Sequence, residues 1–94
     1  MRIVIIEDEK LTAANLAETI LTAVPDAQIA AILSSVQSAV LWFRQNEHPD
    51  LIFSDIQLGD GFCFEIFKTV SIHVPVIFCT AYDEYALKAF DANG

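Results

Sequence analysis

Ninety-four residues allow one small domain, and 13 acidic against 5 basic side chains give it a net charge of −8. Such a surface repels a polyphosphate backbone, which argues against DNA binding by this chain itself and suits a divalent-cation site instead. Hydrophobic residues make up 54% and mean hydropathy is +0.46, so at least one element must be covered on both faces, as in a parallel sheet between helices.

Ile3 to Ile6 form a short β-branched run that reads as a fully buried strand, ended by Glu7, Asp8 and Glu9. A helix follows, with Ala13, Leu16, Ala17, Ile20, Leu21 and Val24 on its apolar face, and Pro25-Asp26 stops it. Residues 28–33 are a second strand. Ser34 and Ser35 are candidate caps for a second helix, which turns Val36, Ala39, Val40 and Phe43 inward. Leu51, Ile52 and Phe53 make a third strand ending at Ser54-Asp55, and residues 58–61 (LGDG) make a turn. A third helix carries Phe62, Cys63, Ile66, Phe67 and Val70 inward. Pro75 to Cys79 form a fourth strand ending at Thr80, and residues 83–93 a fourth helix.

Strand and helix alternate four times, which implies right-handed βαβ units and a doubly wound α/β fold. In such sheets ligands bind beyond the carboxyl ends of the strands. In the flavodoxin-like order 2-1-3-4, Glu7, Asp8, Asp55 and Thr80 all fall at one rim. Clustered carboxylates repel and resist desolvation unless a cation neutralises them. An all-oxygen donor set favours Mg²⁺. Asp55, on the middle strand, is the best-placed nucleophile, and a carboxylate attacking phosphorus gives an acyl phosphate. Thr80 can donate a hydrogen bond to a phosphoryl oxygen, and small Ala81 leaves room beside it. Taken singly, an Asp or Thr at a strand end is most often a turn or cap residue, so the joint placement carries the signal.

Cys63 and Cys79 have neither CxxC nor zinc spacing and read as buried free thiols in a reducing compartment. His48 and His73, beside prolines, receive no chemistry. No apolar run approaches the roughly 20 residues of a membrane span, and residues 1–6 are too short for a signal peptide, so a cytoplasmic location is expected.

The segments IVIIEDE (3–9), LIFSDIQL (51–58) and PVIFCTAYDEYALKAF (75–90) resemble the receiver domains of bacterial two-component response regulators. The last resembles the subgroup whose receivers precede a LytTR-type DNA-binding domain. The resemblance spans residues 1–94 and implies a phosphoacceptor signalling domain, not an enzyme beyond its own phosphoryl uptake and release. It makes Asp55 the phosphoacceptor and Asp8 a direct metal ligand. Glu7 acts on the metal through water, and the backbone carbonyl of Gln57 completes the protein ligands. It makes Thr80 the switch residue and gives Tyr82, Tyr85 and Phe90 to an interaction face. The partner is a sensor histidine kinase, and DNA is reached only through an output domain outside this chain.

The sequence departs from the family pattern in three places. Glu7 stands where Asp is usual, and the loop after Asp55 lacks the usual proline. The third departure is the end at Gly94, before a fifth strand, a fifth helix and the Lys that opens the loop between them; Lys10, Lys68 and Lys88 do not fill its place. The expectation is a receiver truncated before its fifth strand. Its open edge at Val76, Ile77 and Phe78 favours self-association as a dimer or a swapped assembly. Two alternatives stay open: a pseudo-receiver that is an interaction module without phosphorylation, and an Asp-nucleophile phosphatase. The phosphatase wants a second Asp two residues after the nucleophile, where Gln57 stands.

Overall fold

A computed structural model describes residues 1–79. Thr80, Ala81, Tyr82, Tyr85, Phe90 and the expected helix over 83–93 lie outside the described residues.

Strand β1 (Arg2–Ile6), β2 (Gln28–Leu33), β3 (Leu51–Asp55) and β6 (Val76–Cys79) form one sheet in the order β2-β1-β3-β6, every pair parallel. This is the expected order, with β6 as the fourth strand of the sheet. β1 lies between two neighbours and between two helical layers, so Ile3, Val4, Ile5 and Ile6 are all buried. Removing such side chains from water stabilises the fold by about 1.5–3 kcal/mol each before entropy is counted. β-branching suits this place, because the stiff side chains pack on a pleated surface. Where β2 meets Ile3 and Val4 the register slips by one residue, leaving Ala30 without a partner in β1.

The sheet separates two cores. Ile3 and Ile5 pack with Ala13, Ile20 and Ala27 on the side of α1 (Lys10–Ala23). Val4, Ile6 and Ile52 pack with Ala39, Phe43, Leu58, Cys63 and Ile66 on the other side, covered by α2 (Val36–Gln45) and α3 (Phe64–Thr69). Ser35, one of the two expected caps, opens α2. Its Oγ accepts from the Ser38 N–H at 3.0 Å, and its own N–H donates to Ser38 Oγ at 3.1 Å. His48 closes the far end of α2, its Nε2 3.0 Å from the Phe43 carbonyl and its ring edge-on to that of Phe43, a structural use.

Three expectations are corrected. Leu21 and Val24 are 40% and 42% exposed, not buried on the face of α1. Leu21 follows Ile20 and so points a quarter-turn or more away from it. Val24 is past the helix end, because the residue before a proline is pushed out of the helical region. The segment 58–61 is more than a turn: β4 (Gln57–Leu58) and β5 (Gly61–Phe62) form a small antiparallel hairpin around Gly59-Asp60. That hairpin takes Phe62, which is 49% exposed, out of α3, and leaves Cys63 as the buried residue just before the helix.

Candidate metal centre

Parallel strands end their side chains at a common rim, and here the register fixes which ones meet. Ile6 is paired with Ser54, and Asp55 with Cys79, so the residue after β1 and the last residue of β3 stand side by side. Glu7 continues the β1–β2 ladder by one bond, its N–H donating to the Leu33 carbonyl at 2.9 Å. One carboxylate oxygen from each of Glu7, Asp8 and Asp55 lies within 4.8 Å of the others. Glu7 and Asp55 are half-buried and Asp8 is exposed. Among the described residues, none of the three forms an ion pair; the pair that exists is Lys68–Glu65, on the surface of α3.

Local bonds hold the side chains of Asp55 and Glu7. Asp55 Oδ1 accepts from the Ile56 N–H at 2.8 Å, and Glu7 Oε2 accepts from the Glu9 N–H at 2.9 Å. Beneath Asp55, the fully buried Ser54 donates its hydroxyl to the Asp55 carbonyl at 2.9 Å. Burial raises the Asp55 carboxyl above its ordinary range, the Ile56 N–H bond opposes this, and the charge of Asp8 adds to the rise. Burial likewise raises Glu7, the Glu9 N–H opposes it, and Asp8 and Asp55 add to it. The cluster is therefore short of positive charge.

A small, hard divalent cation fits that need. The donors are all oxygens, and opposite ligands of a Mg²⁺ ion stand about 4.2 Å apart, twice the metal–oxygen distance. The observed spread of up to 4.8 Å is close to this, and a longer reach through water suits one member.

The cluster joins the three acids that the sequence pointed to. Gln57, two residues beyond Asp55, starts the hairpin. Two features were not anticipated. Cys79 is half-buried directly beside Asp55 in the ladder, and its thiol is pushed up by burial and by the charges of Asp55 and Glu7. Asp60, in the hairpin turn, bonds to the start of α2; an Asp beside Gly in a turn was the only local signal for it.

The family model of the response regulator receiver domain matches residues 3–94. The sensory transduction protein LytT of Bacillus anthracis is 32% identical over 96 residues, taking in 99% of this chain and 38% of that protein. The sensory transduction protein LytR of Streptococcus mutans is 38% identical over 100 residues, taking in 99% of this chain and 39% of that protein. The chain thus spans less than half the length of these relatives. The solution structure of the PhyR response regulator receiver domain of Erythrobacter litoralis aligns with a TM-score of 0.74 at 32% identity, over 95% of this chain and 69% of that one.

Proposed function

Since the chain belongs to the response regulator receiver domain family, we propose that it takes a phosphoryl group from the phosphohistidine of a sensor histidine kinase onto Asp55, with Mg²⁺, and so switches an output. The observation that carries this reading is the meeting of Glu7, Asp8 and Asp55 in a cluster whose two half-buried members have carboxyls raised above their ordinary range. Asp8 and Asp55 would ligate the ion directly, Glu7 through water, and the backbone carbonyl of Gln57 would complete the protein ligands. Bound there, Mg²⁺ supplies neutralisation of the charge on the transferring phosphoryl oxygens.

The chain's own groups do the rest. The Ile56 N–H fixes the plane of the Asp55 carboxylate. One Asp55 oxygen forms a bond to phosphorus as the bond from phosphorus to the donor's imidazole nitrogen breaks. The electron pair leaves with that nitrogen, which gains a proton on returning to neutral histidine. Thr80 would then bond a phosphoryl oxygen and carry the switch, with Ala81 leaving space for it. Tyr82, Tyr85 and Phe90 would belong to the face that changes partner.

On this reading the domain is not an enzyme beyond this self-modification, and it works in the cytoplasm, where its kinase presents the phosphohistidine. Among the described residues no helix is long and apolar enough to cross a membrane. The output would be DNA binding by a domain outside this chain, and self-association would accompany switching. Phosphoryl uptake from acetyl phosphate tests the reading: it should need Mg²⁺ and stop on chelation. Uptake that proceeds equally in chelator would overturn the metal role. A folded chain that takes up nothing would be an interaction module instead.

A further inference from the structure

The β4–β5 hairpin begins just past Asp55 and closes on Ile56, the residue after it, where the Cys63 N–H donates to the Ile56 carbonyl at 2.8 Å. Its turn has two neighbours. A Cβ built on Gly59 would lie 3.8 Å from Asp8 Oδ2, so the turn passes beside the acid cluster. The next side chain, Asp60, reaches the other way. Its Oδ1 accepts from the Val36 N–H at 2.8 Å and its Oδ2 from the Gln37 N–H at 3.1 Å. These amides belong to the first turn of α2, whose own cap, Ser35, is spent on Ser38. Gly61, at φ +147°, then brings the chain back in a conformation that L side chains rarely adopt. Two successive residues thus join the rim of the carboxylate cluster to the start of a helix distant in sequence. Both bonds of Asp60 are charge-assisted, the stronger kind.

We propose that Asp60 is a positioning residue for the metal centre: clamped on the Val36 and Gln37 amides, it fixes the hairpin that presents the Gln57 backbone carbonyl and backs Asp8. This rests on the metal reading given above. Its consequence is that the start of α2 and the metal centre move together, so a contact that shifts α2 changes metal affinity. A cap that served α2 alone would stabilise the helix and leave the centre untouched.

Ser35→Ala supplies the comparison, because it removes a cap from the same helix end without touching the hairpin. The wild-type chain, Asp60→Ala, Asp60→Asn and Ser35→Ala are titrated with Mg²⁺ by amide NMR, and exchange of the Cys63 amide is measured in the metal-free state. Asp60→Ala should weaken Mg²⁺ by about tenfold, the lower end of what losing an outer partner does to a metal site. It should also speed Cys63 exchange. Asp60→Asn, which keeps one acceptor oxygen, should fall between and covers the case in which the alanine variant does not fold. Ser35→Ala should lower the thermal midpoint and leave both readouts near wild type. A folded Asp60 variant with wild-type Mg²⁺ affinity overturns the proposal, whatever its stability. If the wild-type chain binds no Mg²⁺, the metal reading fails by itself. The clamp is then judged on Cys63 exchange: faster in Asp60→Ala than in Ser35→Ala supports it, and equal rates overturn it.

Discussion

Asp55 and Cys79 are register partners across the β3–β6 ladder. The thiol is raised first by burial and then by the charges of Asp55 and Glu7. A thiolate, not a thiol, is the nucleophile toward an alkylating reagent. At neutral pH Cys79 should therefore alkylate more slowly than a free thiol, and Mg²⁺ should speed it by neutralising the two carboxylates. Peptide mapping after iodoacetamide treatment separates Cys79 from the buried Cys63. A Cys79 rate that is unchanged or slowed by Mg²⁺ contradicts a metal at this cluster.

The cluster also sets a pH dependence of stability. Glu7 and Asp55 are raised from ordinary values of 4.5 and 3.8. A carboxyl that holds its proton more tightly in the fold than in the unfolded chain contributes stability below its unfolded pKa. That contribution is lost as pH rises through the raised value. Without metal, the double variant Glu7→Gln with Asp55→Asn should thus melt higher than wild type at neutral pH, and the gain should shrink toward acid. Mg²⁺ should raise the wild-type midpoint at neutral pH and leave the double variant unmoved. A double variant that melts lower at neutral pH would refute the repulsive cluster.

Packing makes a third prediction. Ile52 is fully buried in β3, flanked by Val4 and Val76 in the ladder. Ile52→Ala should cost about 2–5 kcal/mol by leaving a cavity. Leu21→Ala, on the exposed side of α1, should change stability by only about 0.5 kcal/mol. Denaturant midpoints check both, and a large loss at Leu21 would restore it to the buried face that the periodicity suggested.

Much of this was legible in the chain. The β-branched run at residues 3–6 and the apolar run at 51–53, separated by helical periodicity, are enough for a parallel sheet, and parallel strands put their following acids at one rim. The hairpin was not legible, because strands of two residues carry no periodicity. The bond from Asp60 to α2 was not legible either, since it joins positions 23 and 24 apart and depends on tertiary placement. Leu21 and Val24 show the limit of the helical pattern: it reports which residues share a face, while the width of the contact and the helix end at Pro25 decide which are covered.

The central claim is that Asp55 accepts a phosphoryl group at this cluster, and the most direct test is the intact mass of the chain before and after acetyl phosphate with Mg²⁺. The account predicts a gain of one phosphoryl group in the wild type and none in Asp55→Asn. A gain that survives in Asp55→Asn would place the modification elsewhere and contradict it, as would a folded, Mg²⁺-binding wild type that gains nothing.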